Sequence, residues 1–259
     1  MQKFKLVLKI TNWCNLQCEH CIENSGPNQP YKLMPVEQIK KYIKEYKNIG
    51  NRITFTGGEP FASYIQERAE YIPAIAKICV AHKISPVFDT NGTWAENMYV
   101  GGIMMTNLSK IAQKRGRKIF LDIYVDKHRN EYQGVENICK LIARHQHLRD
   151  NIRLSFYGDS YHAHKIRLYS PYLLVDNEDE FLVQMSDSGH PAEMETKARV
   201  PFVKRKRQEY ASDDTNITDG QDVLIITNDN QAILNRKYTT TVDDKTLGQI
   251  YNELVQKKR

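Results

Sequence analysis

No stretch of this 259-residue chain approaches the roughly 20 consecutive apolar residues of a membrane-spanning helix. The opening "MQKFKLVLKI" has neither the long apolar segment nor the small-residue cleavage site of a signal peptide, so it is expected to be a first strand. Internal repeats and low-complexity tracts are missing, and no segment matches a DNA- or RNA-binding module. Cysteine is scarce: five residues, an odd number, with none after Cys139. An odd count without an export signal points to a reducing cytoplasm and away from a disulfide framework. Charge is only mildly one-sided at +6, which suits nucleic acid, acidic peptides or an ordinary basic surface equally. What is present, 41% hydrophobic and 26% charged residues, is enough for one large domain with a full core.

The patterning alternates. "FKLVLKI" (4–10), "RITFT" (52–56), "PVFDT" (86–90), "KIFLDIYV" (118–125) and "IRLSFYG" (152–158) read as strands. Between them, "PVEQIKKYIKEYKNI" places Ile39, Tyr42, Ile43 and Tyr46 at helical spacing, with Pro35 at the first helical position. "SYIQERAEYIPAIAKICVAHK" is expected to be helical with a kink at Pro73. A mostly helical region runs to about residue 115, and "GVENICKLIARHQHL" is a further helix. Strands alternating with helices imply βα units around a parallel sheet. After residue 160 the pattern loosens into polar stretches. "DVLIITNDNQAILNRKYTT" then reads as a hairpin turning at "NDN", and "DKTLGQIYNELVQKK" as a closing helix.

Two short motifs carry chemistry. "CNLQCEHC" packs Cys14, Cys18 and Cys21 into the loop after the first strand, with no fourth cysteine beside them. A structural zinc site closes a tetrahedron with four ligands. Three thiolates with one position left vacant suit a [4Fe–4S] cluster whose fourth iron binds something else. The second motif, "TFTGGEP" (54–60), sits at the carboxyl end of the second strand. Its glycine pair lets backbone approach a ligand closely, and Glu59 adds a carboxylate able to hold a cationic group.

Together these motifs resemble the radical S-adenosylmethionine (SAM) superfamily, over at least residues 4–158. The resemblance implies an α/β fold, a partial (β/α)6 barrel, here followed by a short C-terminal hairpin-plus-helix extension. Residues 1–160 would form the core that binds cluster and SAM. Residues 161–259 would complete the barrel and carry the extension, in one continuous domain. It implies that Cys14, Cys18 and Cys21 hold three irons of a [4Fe–4S] cluster while the SAM amino and carboxylate groups chelate the fourth. His20 would pack near the adenine, and Gly57, Gly58 and Glu59 would hydrogen-bond the SAM ammonium. Thr90 and Asn91 in "FDTNG" and Asp122 in "LDIYVD" match positions that contact SAM methionine or ribose, while Ser155, alternating with Leu154 and Phe156 on the fifth strand, faces another side from them and is expected to contact the ribose. Electrons would come from a flavodoxin- or ferredoxin-type donor.

The implied activity is reductive SAM cleavage to a 5′-deoxyadenosyl radical that takes a hydrogen from a ribosomally made peptide or a small molecule. Alternatives are a glycyl-radical-enzyme activase, a nucleotide- or deazapurine-modifying enzyme, and a non-enzymatic zinc module. "TNWCNLQCEHC" is most similar to peptide-modifying members, but the missing C-terminal cysteines argue against their auxiliary clusters. Cys79 and Cys139 lie among apolar helical neighbours and read as small core residues. His162 and His164 read as loop residues, and the "KRKR" run at 204–207 as solvated surface.

Overall fold

Along β1 (Phe4–Thr11), Phe4, Leu6, Leu8 and Ile10 alternate with Lys5, Val7 and Lys9, and only the first set is fully buried. That period-two pattern gives the sheet one face packed under helices and one face free to line a barrel. The computed structural model describes residues 3–18, 21, 23–65, 68–125, 133–158, 182–185 and 222–258.

The chain continues through α1 (Val36–Tyr46), β2 (Arg52–Gly57), α2 (Ala62–Ile65), α3 (Tyr71–Ala81) and β3 (Ser85–Thr90). A short 3-10 turn (Thr93–Ala95) leads into α4 (Met98–Gln113) and β4 (Ile119–Val125). Then follow α5 (Gln133–Arg144), α6 (Gln146–Asn151), β5 (Ile152–Gly158) and β6 (Leu182–Met185). The described chain closes with β7 (Asp222–Thr227), β8 (Gln231–Leu234), β9 (Tyr238–Thr241) and α7 (Leu247–Lys258).

Strand order is β6-β5-β4-β3-β2-β1-β7-β8-β9, parallel from β6 to β7, and the sheet is not closed. This is the expected partial α/β barrel with one addition. The C-terminal hairpin is no appendage, because β7 pairs in parallel with β1 from Phe4↔Asp222 to Lys9↔Thr227. β8 and β9 then extend the sheet antiparallel. The arrangement is anchored by α7, where Tyr251 stacks on Phe4 at 4.6 Å and its hydroxyl donates to Asp222 Oδ2 at 2.6 Å.

The helices form as their periodicity dictates: Ile39, Tyr42, Ile43 and Tyr46 of α1 are all buried. Pro35 caps α1 rather than occupying its first turn. The expected kink at Pro73 does not occur. Pro73 lies in the first turn of α3, where a backbone N–H has no helical partner to lose, and the chain breaks earlier, between α2 and α3. The single helix expected over "GVENICKLIARHQHL" is divided at His145, whose extended backbone separates α5 from α6. His162, His164 and the basic segment 204–207 fall outside the described residues.

Candidate active site

All the parallel strands point their carboxyl ends to one rim, where barrel enzymes build their sites. There the cysteine loop folds back on itself. Trp13 bridges Gly26, and the Cys14 N–H donates to the Gly26 carbonyl at 3.3 Å. Cys14, Cys18 and Cys21 are free thiols of intermediate burial. Two of them accept backbone N–H bonds, Cys14 Sγ from Leu16 and Cys21 Sγ from Ser25, each at 3.4 Å. Lys9, rising from the sheet, pairs with Glu23 and ties the loop to the barrel wall. Among the described residues no three His, Cys, Asp or Glu side chains converge closely enough to hold a single metal ion. Three free thiols on one loop suit a cluster whose irons each take their own thiolate. His20 lies outside the described residues.

The glycine motif is pressed onto this loop. The N–H of Gly58 donates to Thr11 O at 2.8 Å and that of Glu59 to Trp13 O at 2.9 Å, carrying the β1–β2 pairing past the strand ends. A Cβ on Gly58 would stand 2.0 Å from Trp13 O, and one on Gly57 2.1 Å from Thr11 O, with φ already at +128°. Only glycine permits that approach.

Glu59, expected beside the SAM ammonium, lies in a hydrogen-bond network at the ends of β2 and β3. Its side chain is buried, with 1% exposed. Oε1 accepts from the Phe61 N–H at 2.9 Å and the Thr90 hydroxyl at 2.8 Å, and Oε2 accepts from the Asn91 N–H at 2.7 Å. The carboxylate therefore fastens the end of β2 to the end of β3, with its acceptor capacity largely used inside the chain. Thr90 is likewise occupied. Its hydroxyl donates to Glu59 and accepts from Gly92 N–H at 3.1 Å and Trp94 Nε1–H at 3.0 Å. Asn91 faces the cysteine loop: its Nδ2 donates to Asn15 Oδ1 at 3.1 Å and stands 3.7 Å from Cys14 Sγ, while Oδ1 accepts from Thr93. Beneath this network, Phe61 stacks on Trp94 at 4.5 Å and meets Phe88 edge-on. Glu59, Thr90 and Asn91 are thus joined to one another and to the cysteine loop by hydrogen bonds.

Deeper in the barrel, register aligns Asp89 with Asp122 and Asp122 with Ser155. Asp122 and Ser155, both expected at the site, are buried neighbours here. Asp89 was not foreseen, although it occupies the same penultimate strand position as Thr56, its hydrogen-bond partner on β2. Its Oδ1 is buried without a hydrogen-bond partner. Burial first, then the Asp122 charge beside it, pushes the Asp89 carboxyl well above the usual carboxylate range, against the opposing Thr56 hydrogen bond. A raised folded-state value means stability is fully present at acid pH, below the unfolded value, and is lost as pH rises through the folded value. Asp89→Asn should therefore raise the melting temperature at neutral pH and flatten its decline towards alkaline pH, as thermal unfolding over a pH series will show. An unchanged pH profile in the variant refutes the assignment.

Cys79 and Cys139 are fully buried, as their apolar neighbours implied. Burial pushes the Cys79 thiol well up, and burial followed by the Glu136 charge pushes Cys139 to about 12.

Residues 8–103 match the Radical SAM superfamily. Over those residues the chain resembles a radical SAM domain. Members of that superfamily bind a [4Fe–4S] cluster and SAM. An uncharacterised protein of Methanocaldococcus jannaschii is 41% identical over 61 residues, covering 23% of this chain and 20% of that protein. The GTP 3′,8-cyclase of Pasteurella multocida is 26% identical over 145 residues, covering 51% of this chain and 40% of the cyclase. The matches thus span between a fifth and two fifths of these relatives' length. Among solved structures, that of BtrN in complex with AdoMet and 2-DOIA superposes with a TM-score of 0.53, over 97% of this chain and 83% of that one, at 12% identity. At that identity the likeness is one of fold. The cysteine loop and the Gly57–Glu59 bracket both fall within the matched segment. The half-buried thiols, their amide donors and the glycine-only approach of Gly58 suit a cluster held in the loop. No helix among the described residues is long and apolar enough to cross a membrane.

Proposed function

We propose that the chain binds one [4Fe–4S] cluster and SAM, cleaves SAM reductively to methionine and a 5′-deoxyadenosyl radical, and directs that radical at one substrate hydrogen. The observation carrying this reading is the joining of the cysteine loop to Gly57–Gly58–Glu59 by the Gly58 and Glu59 N–H bonds to Thr11 and Trp13. In it, Cys14, Cys18 and Cys21 bind three irons and leave the fourth to the SAM amino and carboxylate groups. The main chain of Gly57 and Gly58 offers its carbonyls to the ammonium, because the Glu59 carboxylate is committed to Phe61, Thr90 and Asn91. Asp122 and Ser155 stand on the wall suited to ribose hydroxyls. The barrel wall keeps water and stray hydrogen donors from the radical. A reduced flavodoxin- or ferredoxin-type protein supplies the electron.

The substrate in this reading is a ribosomally made peptide or a small molecule entering at the open side of the sheet. The similarity to GTP 3′,8-cyclase favours a second reading, a nucleotide substrate. Anaerobically reconstituted protein reduced with dithionite should release 5′-deoxyadenosine and methionine in equal amounts, slowly without substrate. S-adenosylhomocysteine as the sole product, or no SAM turnover with a full cluster, overturns the proposal. Acceleration by GTP and not by short peptides would select the nucleotide reading.

A further inference from the structure

Ser25 is the polar side chain that this site leaves unexplained. It lies in the cysteine loop four residues beyond Cys21 and is 5% exposed, yet its Oγ has no hydrogen-bond partner. Leaving a buried hydroxyl without a partner is costly, so an acceptor is expected close by. Two facts point to which one. The Ser25 backbone N–H already donates to Cys21 Sγ at 3.4 Å, which fixes the residue against the thiolate side of the loop. Its neighbours in sequence are tied elsewhere: Asn24 N–H bonds the Cys21 carbonyl, while Gly26 pairs with Trp13 and accepts from Cys14. The main chain around Ser25 is therefore held in place, and the hydroxyl cannot leave for solvent without breaking that loop.

Resting on the cluster reading above, we propose that the Ser25 hydroxyl donates a hydrogen bond to a sulfur of the bound cluster and so sets its reduction potential. The acceptor is the Cys21 thiolate or an inorganic sulfide next to it; the chemistry is the same for both. Reduction adds negative charge to the cluster, and a donor aimed at sulfur stabilises the reduced state more than the oxidised one. Ser25 is thus a positioning and tuning residue, touching neither SAM nor substrate. It acts with the Leu16 and Ser25 amides, which backbone geometry supplies whatever the side chains are. The hydroxyl is the part of this set that sequence can change.

The test is a redox titration of the reconstituted cluster followed by electron paramagnetic resonance. Ser25→Ala should retain the iron of the parent and shift the midpoint to more negative potential, while Ser25→Thr, which keeps a hydroxyl, should stay near the parent. Because the alanine leaves a small void, the isosteric pair Ser25→Thr and Ser25→Val asks the same question at equal shape: the valine protein should be the harder to reduce. Equal midpoints in threonine and valine proteins, or an unshifted alanine protein with full iron, overturn the inference and leave the cluster reading intact. Failure of the parent itself to take up iron would instead sink the cluster reading.

Discussion

Glu59→Ala should destabilise the chain by about 3–5 kcal/mol before any cofactor is added, which places it among the most damaging single changes available. The carboxylate is buried and receives two backbone N–H groups and one hydroxyl, from Phe61, Asn91 and Thr90. Truncation leaves all three donors without an acceptor in a site closed below by Phe61 and Trp94. Glu59→Gln keeps the shape but turns one acceptor into a donor facing another donor, so it should lose less, though measurably. Denaturant unfolding of the cofactor-free protein reads the effect directly. The sequence alone suggests a different outcome, in which the folded chain is undisturbed and only SAM affinity falls. A cofactor-free Glu59→Ala protein as stable as the parent would restore that role for the carboxylate.

The difference between those two outcomes shows where sequence reading stops. Each of the first five strands was legible because apolar residues alternate or cluster locally, as in Phe4, Leu6, Leu8 and Ile10. The two motifs were legible because their spacing is local as well. What Glu59 does depends on Asn91, 32 residues away, whose backbone N–H reaches it only once β2 and β3 lie side by side. A backbone donor carries no sequence signature, so nothing in "GGEP" distinguishes a carboxylate aimed at a ligand from one aimed at a neighbouring strand. The same holds for Thr90, whose hydroxyl bonds Trp94 and Gly92 as well as Glu59 once the strands lie together.

Other features were within reach. Asp89 shares the period of Val87, and laying the acids of "PVFDT" and "IFLDIYV" side by side would have set it against Asp122. The pairing of β7 with β1 was not within reach. It joins segments more than two hundred residues apart, and a hairpin read from its turn reveals nothing about which edge it will cover. Pro73 illustrates the opposite case. The rule that proline breaks helices holds for helix interiors, and the helix boundary that makes Pro73 harmless is set by the break before Tyr71.

Iron analysis offers the largest effect of all: the reconstituted chain should bind about four irons, as one [4Fe–4S] cluster. Changing Cys14, Cys18 and Cys21 together to alanine should remove essentially all of them. The argument is one of available thiolates. The chain has five cysteines, and none follows Cys139. Cys79 and Cys139 are fully buried, the first in α3 and the second in α5, and burial holds both as neutral thiols. Iron binds the thiolate, so either residue would have to be deprotonated and dragged out of the core before it could serve. Even then two thiolates fall short of the three or four that such a cluster needs. The loop cysteines differ in each respect: they are partly exposed, lie within eight residues of one another, and two already accept amide hydrogen bonds. Accordingly Cys79→Ala and Cys139→Ala should keep their iron, with a loss of packing as their only cost. A content near eight irons per chain, or substantial iron surviving in the triple variant, would mean that a second cluster is held elsewhere and would defeat the single-cluster assignment.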